Sequence, residues 1–201
     1  MSRYRTRSWR AFDPGAALAP TAGVAGLRIL GLDPGSRRTG YGVIERRGAD
    51  WVHVVHGCVT VTGAADSLPE RLRVIFESLR ELILTHGPGE VAIERVFVNR
   101  NVDSALKLGQ ARGAALCAVP KGLPVFEYAP RAIKLAVVGS GAAEKVQVAH
   151  MIRTLLRVQG RIPPDAADAL AVAVCHAHSR RLQELALRAA VPPQVAEAAT
   201  R

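Results

Sequence analysis

Apolar and polar positions along the chain sort into short extended runs followed by longer helical repeats. Leu27, Ile29, Leu30 and Leu32 form an apolar run that ends in Asp33, and Pro34-Gly35 predicts a turn directly after it. Arg38 to Glu45 resumes an extended pattern around Tyr41, Val43 and Ile44, which predicts a hairpin with a buried first strand. Trp51 to Thr62 alternates as a third strand. Ser67-Leu68-Pro69-Glu70 then has the spacing of a capping box, and Leu68, Leu72, Ile75, Leu79, Leu82 and Ile83 recur at helical intervals up to the break at His86-Gly87-Pro88-Gly89. Glu90 to Val98 reads as a second buried strand, with Glu94 toward its far end. Val102 to Val119 predicts a helix in which Gly109 and Gly113 let a neighbour pack closely, and Leu123 to Tyr128 a short strand. Arg131 to Val138 and Ala142 to Val158 predict helices on either side of Gly139-Ser140-Gly141, and Asp165 to about Ala190 a long alanine-rich one after Pro163-Pro164. The order β-β-β-α-β-α-β-α-α-α predicts an α/β domain: an antiparallel meander, then strands joined by helical crossovers, giving a mixed five-stranded sheet flanked by helices.

Composition sharpens the boundaries. The 201 residues suit one domain, and 49% apolar with 4% aromatic residues favours packed helices around a sheet. Residues 1–26 lack periodicity and carry Arg3, Arg5, Arg7 and Arg10 against Asp13, so they predict a flexible basic extension holding +3 of the formal net charge of +10. An Arg-rich leader can be a transit peptide; a tail adding phosphate contacts, or an over-extended start, fits better. The folded body is expected over 27–180, with a helix end and tail over 181–201. A net charge of +10 and a pI near 10.5 suit a polyanionic partner, nucleic acid by default, against a basic surface that only aids solubility. Cys58, Cys117 and Cys175 stand far apart without a CxxC pair, which argues for a reducing, cytoplasmic setting and against a zinc ribbon. No apolar run reaches the ~18 residues of a membrane span.

The candidate chemistry lies in a repeated oddity. Asp33 and Glu94 each end or interrupt an apolar strand, and Asp165 and Asp168 open an apolar helix one turn apart on the same face. Asp33 could simply open a turn. Asp165 and Asp168 could serve as capping acids worth a few tenths to about 1 kcal/mol each. If the strands lie side by side, however, four carboxylates converge, and like charges at that density call for divalent cations. Oxygen ligands without His or Cys point to Mg²⁺, with Mn²⁺ as a substitute, and two ions on such a set form a phosphodiester-cleaving arrangement. Arg95, Arg100, Lys107, Arg112, Arg131, Lys134 and Lys145 flank the acids in sequence and could form a basic rim for a phosphate backbone, or stand as solvated surface charges. His150, His176 and His178 match no metal spacing and read as core or surface residues.

GLDPGSRRTGYGVIE, AIERVF, NVDSALKLGQARG, PVFEYAPRAIK, VVGSGAAEKVQVAHMIRTLL and DAADALAVAVCHAH resemble, in order and spacing, the RuvC family of Holliday-junction resolvases, from about Leu27 to His178. The resemblance implies a ribonuclease-H-like fold, a homodimer, and paired nicks in two strands of like polarity across a four-way DNA junction. It implies that Asp33, Glu94, Asp165 and Asp168 are the catalytic acids and metal ligands. It also implies that Lys134 and Lys145 act near the scissile phosphate and that Phe97 stacks on an unpaired base. Arg100, Lys107 and Arg131 are the further DNA contacts expected, and the RuvAB branch-migration helicase complex is a candidate partner. Two rivals share parts of the pattern. An ATP-handling protein of the actin or sugar-kinase type also follows its first strand with D-x-G, but needs a second such loop that is missing here. A non-catalytic junction-binding protein would have no use for four acids.

Overall fold

The computed structural model describes residues 26–61, 67–95 and 101–190. The basic extension, Phe97, Arg100 and the end of the tail lie outside the described residues.

Ten elements follow the expected order: β1 (Arg28–Asp33), β2 (Arg38–Arg47), β3 (Asp50–Thr60), α1 (Leu68–His86), β4 (Glu90–Glu94), α2 (Val102–Cys117), β5 (Val125–Tyr128), α3 (Pro130–Val138), α4 (Lys145–Leu155) and α5 (Pro164–Ala190). The strands form one five-stranded sheet in the order β3-β2-β1-β4-β5. β1, β2 and β3 pair antiparallel, whereas β4 joins β1 and β5 joins β4 in parallel, as strands reached through helical crossovers must.

The sheet separates two cores. On one face Leu30, Leu32, Val43, Val91 and Ile93 pack with Ile75, Leu79 and Ile83 of α1 and Ala111 and Ala115 of α2. On the other, Ile29, Ile44 and Ala92 meet α3, α4 and the alanine-rich side of α5. α5 lies directly on the sheet because two strand positions carry no side chain. A Cβ at Gly31 would strike the Ala169 carbonyl and come within 2.8 Å of Ala173 N, and one at Gly40 would strike the Asp165 carbonyl. This close contact sets the first turn of α5 over the ends of β1 and β2.

Helix ends follow local chemistry. Ser67 Oγ accepts from Glu70 N and donates to Glu70 Oε2, fixing the start of α1, and Gly87 at φ +53 ends it. α4 is shorter than the expected Ala142–Val158. Glu144 N–H donates to Gln147 Oε1 at 2.8 Å, so the helix starts at Lys145, and Arg157 at φ +51 stops it. β4 runs Glu90–Glu94, with Glu94 opposite Tyr128 of β5 and Arg95 N–H donating to the Tyr128 carbonyl at 2.8 Å; the rest of the expected strand, 96–98, lies outside the described residues. α5 continues unbroken past Arg180. Gly109 and Gly113, expected to admit a close neighbour, meet nothing within 4 Å of an added Cβ; within the protomer that expectation is wrong, because α2 packs through Ala111 and Ala115 instead.

Candidate active site

Register, not loop geometry, brings the first acids together. β1 and β4 run parallel with Leu32 opposite Ile93, so Asp33 and Glu94 are the next pair along. Their carboxyl groups are hydrogen-bonded. Burial, then the charges of Glu94 and Asp168, pushes Asp33 up to about 8, well above the usual carboxylate range. Burial also raises Glu94, against the hydrogen bond from Asp33 and the charges of Lys145 and Lys134. The third acid, Asp168, comes from α5 one turn after Asp165, on a helix held close to the sheet by the contacts at Gly31 and Gly40.

Lys145, the first residue of α4, closes the group. Its Nζ donates to Asp168 Oδ2 at 2.6 Å, a bond that raises the lysine's pKa, and its charge is felt by both Asp33 and Glu94. Lys134, half-buried in α3, adds a positive charge that acts on Glu94. Three acids and two lysines expected from the sequence therefore converge from β1, β4, α5, α4 and α3.

Asp165 stands apart. Its backbone lies over Gly40 of β2, but its carboxylate turns to Arg38, with Nε–Oδ2 at 3.4 Å, and to Cys58, whose Sγ lies 3.9 Å from Oδ2. Burial and the Asp165 charge raise the Cys58 thiol. Sequence reasoning passed over Arg38. The signal was available: Arg38 opens the strand that pairs with β1, so it stands at the same end of the sheet as Asp33.

The remaining basic candidates divide. Lys107 is ion-paired with Asp103 one turn away on α2, on the face of the sheet opposite α5. Arg131 is exposed on α3 and lies along Gly141. Arg112 braces the site from beneath. Its Nε donates to the Glu94 carbonyl at 3.4 Å, and its buried Nη2 sits 2.8 Å from Glu127 Oε1 without hydrogen-bond alignment. His176, read as a core histidine, is one: Tyr128 O–H donates to Nδ1 at 2.7 Å and Nε2–H donates to Glu90 Oε2 at 2.8 Å. Burial lowers its pKa, against the hydrogen bond and charge of Glu90, which raise it.

The donor set suits a hard divalent cation: four carboxylates, with burial and like charge holding a proton on Asp33 that such a cation would replace. Among the described residues no three His, Cys, Asp or Glu side chains are drawn together as a ready-made cage. The reason is visible in the ion pairs, since Lys145 holds Asp168 and Arg38 holds Asp165.

Known proteins resemble this chain in sequence and fold. The family model described as "Crossover junction endodeoxyribonuclease RuvC" matches residues 29–176. The crossover junction endodeoxyribonuclease RuvC of Alkalilimnicola ehrlichii is 55% identical over 164 residues, 81% of this chain and 98% of that protein. The RuvC of Idiomarina loihiensis is 57% identical over 155 residues, 75% of this chain and 87% of that protein. Among solved structures, T. thermophilus RuvC in complex with Holliday junction substrate superposes with a TM-score of 0.72 at 34% identity, covering 78% of this chain and 96% of that one. The yeast mitochondrial Holliday junction resolvase Ydc2 shares the fold, with a TM-score of 0.57 at 11% identity.

Proposed function

The chain belongs to the RuvC family of crossover junction endodeoxyribonucleases, and on that premise we propose that it resolves Holliday junctions by hydrolysis centred on Asp33, Glu94, Asp165 and Asp168. The single observation that carries the site assignment is the convergence of Asp33, Glu94 and Asp168 from three elements, under a lysine, at one end of a ribonuclease-H-like sheet. The activity is paired nicking of two strands of like polarity, in homologous recombination and DNA repair.

Asp33, Glu94, Asp165 and Asp168 would hold Mg²⁺ or Mn²⁺, two ions per site. When bound, such ions activate water and stabilise the leaving oxygen of a phosphodiester. The chain's own residues do the rest. Half-buried Asp33 and Glu94 are fixed by the β1–β4 register and by the Arg112 brace beneath Glu94. Lys145 and Lys134 present ammonium groups beside the acids, where negative charge builds on a phosphate under attack. Arg131, Lys107 and Arg100 are proposed DNA contacts, with Phe97 from the resemblance alone.

Two cuts in a two-fold substrate suit a homodimer. We assign α2 to its interface: Val102 is 67% and Leu106 62% exposed, and Gly109 and Gly113 leave open space beside them. The RuvAB branch-migration helicase complex is the further proposed partner. A cytoplasmic location is supported by three free thiols, and among the described residues no helix is long and apolar enough to cross a membrane.

Asp33→Asn, Glu94→Gln, Asp165→Asn and Asp168→Asn should each cut the nicking rate by at least about 10²-fold while junction binding persists, because positioning rests on basic residues. Gel-shift and nicking assays on the same preparations test this. A variant that nicks at near the wild-type rate contradicts the assignment of its residue.

A further inference from the structure

Arg38 opens the strand that pairs with β1 and stands at the end of the sheet that carries Asp33. Its side chain is 55% exposed at the start of β2, and its guanidinium is set 3.4 Å from a carboxylate of the candidate site. That carboxylate, Asp165, has its backbone beside Gly40, which pairs with Asp33, yet its Oδ2 turns to Arg38 and to Cys58 Sγ, 3.9 Å away. Asp168, one turn along, does act on Asp33 and is matched by Lys145. The four acids are thus divided between two internal cations, one on each side of the site.

We propose that Arg38 is a positioning residue: a built-in counter-ion that keeps Asp165 off the Asp33, Glu94 and Asp168 cluster and gives it up when a divalent cation competes, its guanidinium then passing to a DNA phosphate. The proposal rests on the reading that these acids hold the cation. The physical basis is that a half-exposed ion pair is weak, so it is exchangeable, whereas a divalent ion on several carboxylates is not matched by a single guanidinium. A phosphate accepts an Arg fork in two parallel hydrogen bonds, a better partner than one carboxylate oxygen reached by Nε alone. Because the same side chain leaves for the phosphate and frees the ligand, DNA binding and cation binding assist each other, and by linkage they do so equally.

The test uses the full chain and two readouts. Mn²⁺ binding without DNA is followed by the electron paramagnetic resonance of free Mn²⁺ for wild type, Arg38→Gln, Arg38→Ala, Arg38→Lys and Asp33→Asn. Removing the competing cation should tighten Mn²⁺ binding by roughly two- to five-fold in Arg38→Gln and Arg38→Ala, the range a half-exposed pair supports, with Arg38→Lys near wild type. In parallel, junction affinity in EDTA is measured against salt, and the slope of log affinity on log salt should fall by about one in Arg38→Gln. Unchanged or weaker Mn²⁺ binding in Arg38→Gln, with binding lost in Asp33→Asn, overturns the counter-ion role and leaves the acid site standing. Wild-type Mn²⁺ binding in Asp33→Asn overturns the acid site and this proposal together. A salt slope equal to wild type overturns the transfer to phosphate.

Discussion

At the scale of single residues, the site works by charge held where water would normally screen it. Asp33 is the extreme case, since burial and two acidic neighbours keep a proton on a carboxyl that would otherwise ionise well below neutral pH. Lys145 and Lys134 oppose that crowding from α4 and α3, on either side of the Gly139-Ser140-Gly141 break. Two roles for these lysines are separable. As ordinary phosphate contacts, either one replaced by Ala would weaken junction binding and lower the salt slope by about one, leaving the saturated rate intact. As stabilisers of charge building on the phosphate, at least one should lose roughly 10²-fold or more in saturated rate. We expect the second outcome, because Lys145 already sits 2.6 Å from an acid of the site. Single-turnover cleavage by Lys134→Ala and Lys145→Ala, compared with their dissociation constants in Ca²⁺, decides it; normal saturated rates for both would reduce them to binding residues.

At the scale of elements, the decisive contact is α5 on β1 and β2. An added Cβ at Gly31 has no room against the Ala169 carbonyl, so Gly31→Ala should lift α5 from the sheet and cost roughly 1–3 kcal/mol by overpacking. Because α5 carries Asp168, cleavage should fall with stability. Denaturant unfolding beside a nicking assay checks both, and an unchanged midpoint would show that the helix does not depend on this approach. The same contact explains what the sequence could and could not reveal. The order of elements, the two strand-end acids and the one-turn spacing of Asp165 and Asp168 follow from apolar runs and helical periodicity, which local patterns record; the order of strands in the sheet does not. The orientation of Asp165 does not, because it depends on Arg38 arriving from a strand whose start is more than a hundred residues away in the chain. Gly109 and Gly113 are ambiguous for a related reason: small residues signal close approach without naming the partner, and within the protomer α1 meets the other side of α2. Phe97 owes its assignment to family resemblance alone, and Arg100 to its place in the sequence beside Glu94.

At the scale of the molecule, one protomer offers one site, while a junction needs two cuts. Exposed Val102 and Leu106 beside the open glycines of α2 give a self-complementary pairing somewhere to form. Sedimentation should show a dimer, and Leu106→Glu should shift it toward monomer; a wild-type monomer at high concentration and with junction bound would count against pairing. The net charge of +10 supplies general affinity for DNA but cannot by itself distinguish a junction from a duplex. Discrimination must come from shape, and hydrolysis from the acids. The measurement that tests this account most directly is cleavage of a synthetic four-way junction against linear duplex of the same sequence, with Mg²⁺ and with EDTA. The account predicts symmetric paired nicks in the junction only, and only with Mg²⁺. Equal cleavage of the linear duplex, or junction cleavage undiminished in EDTA, would contradict it.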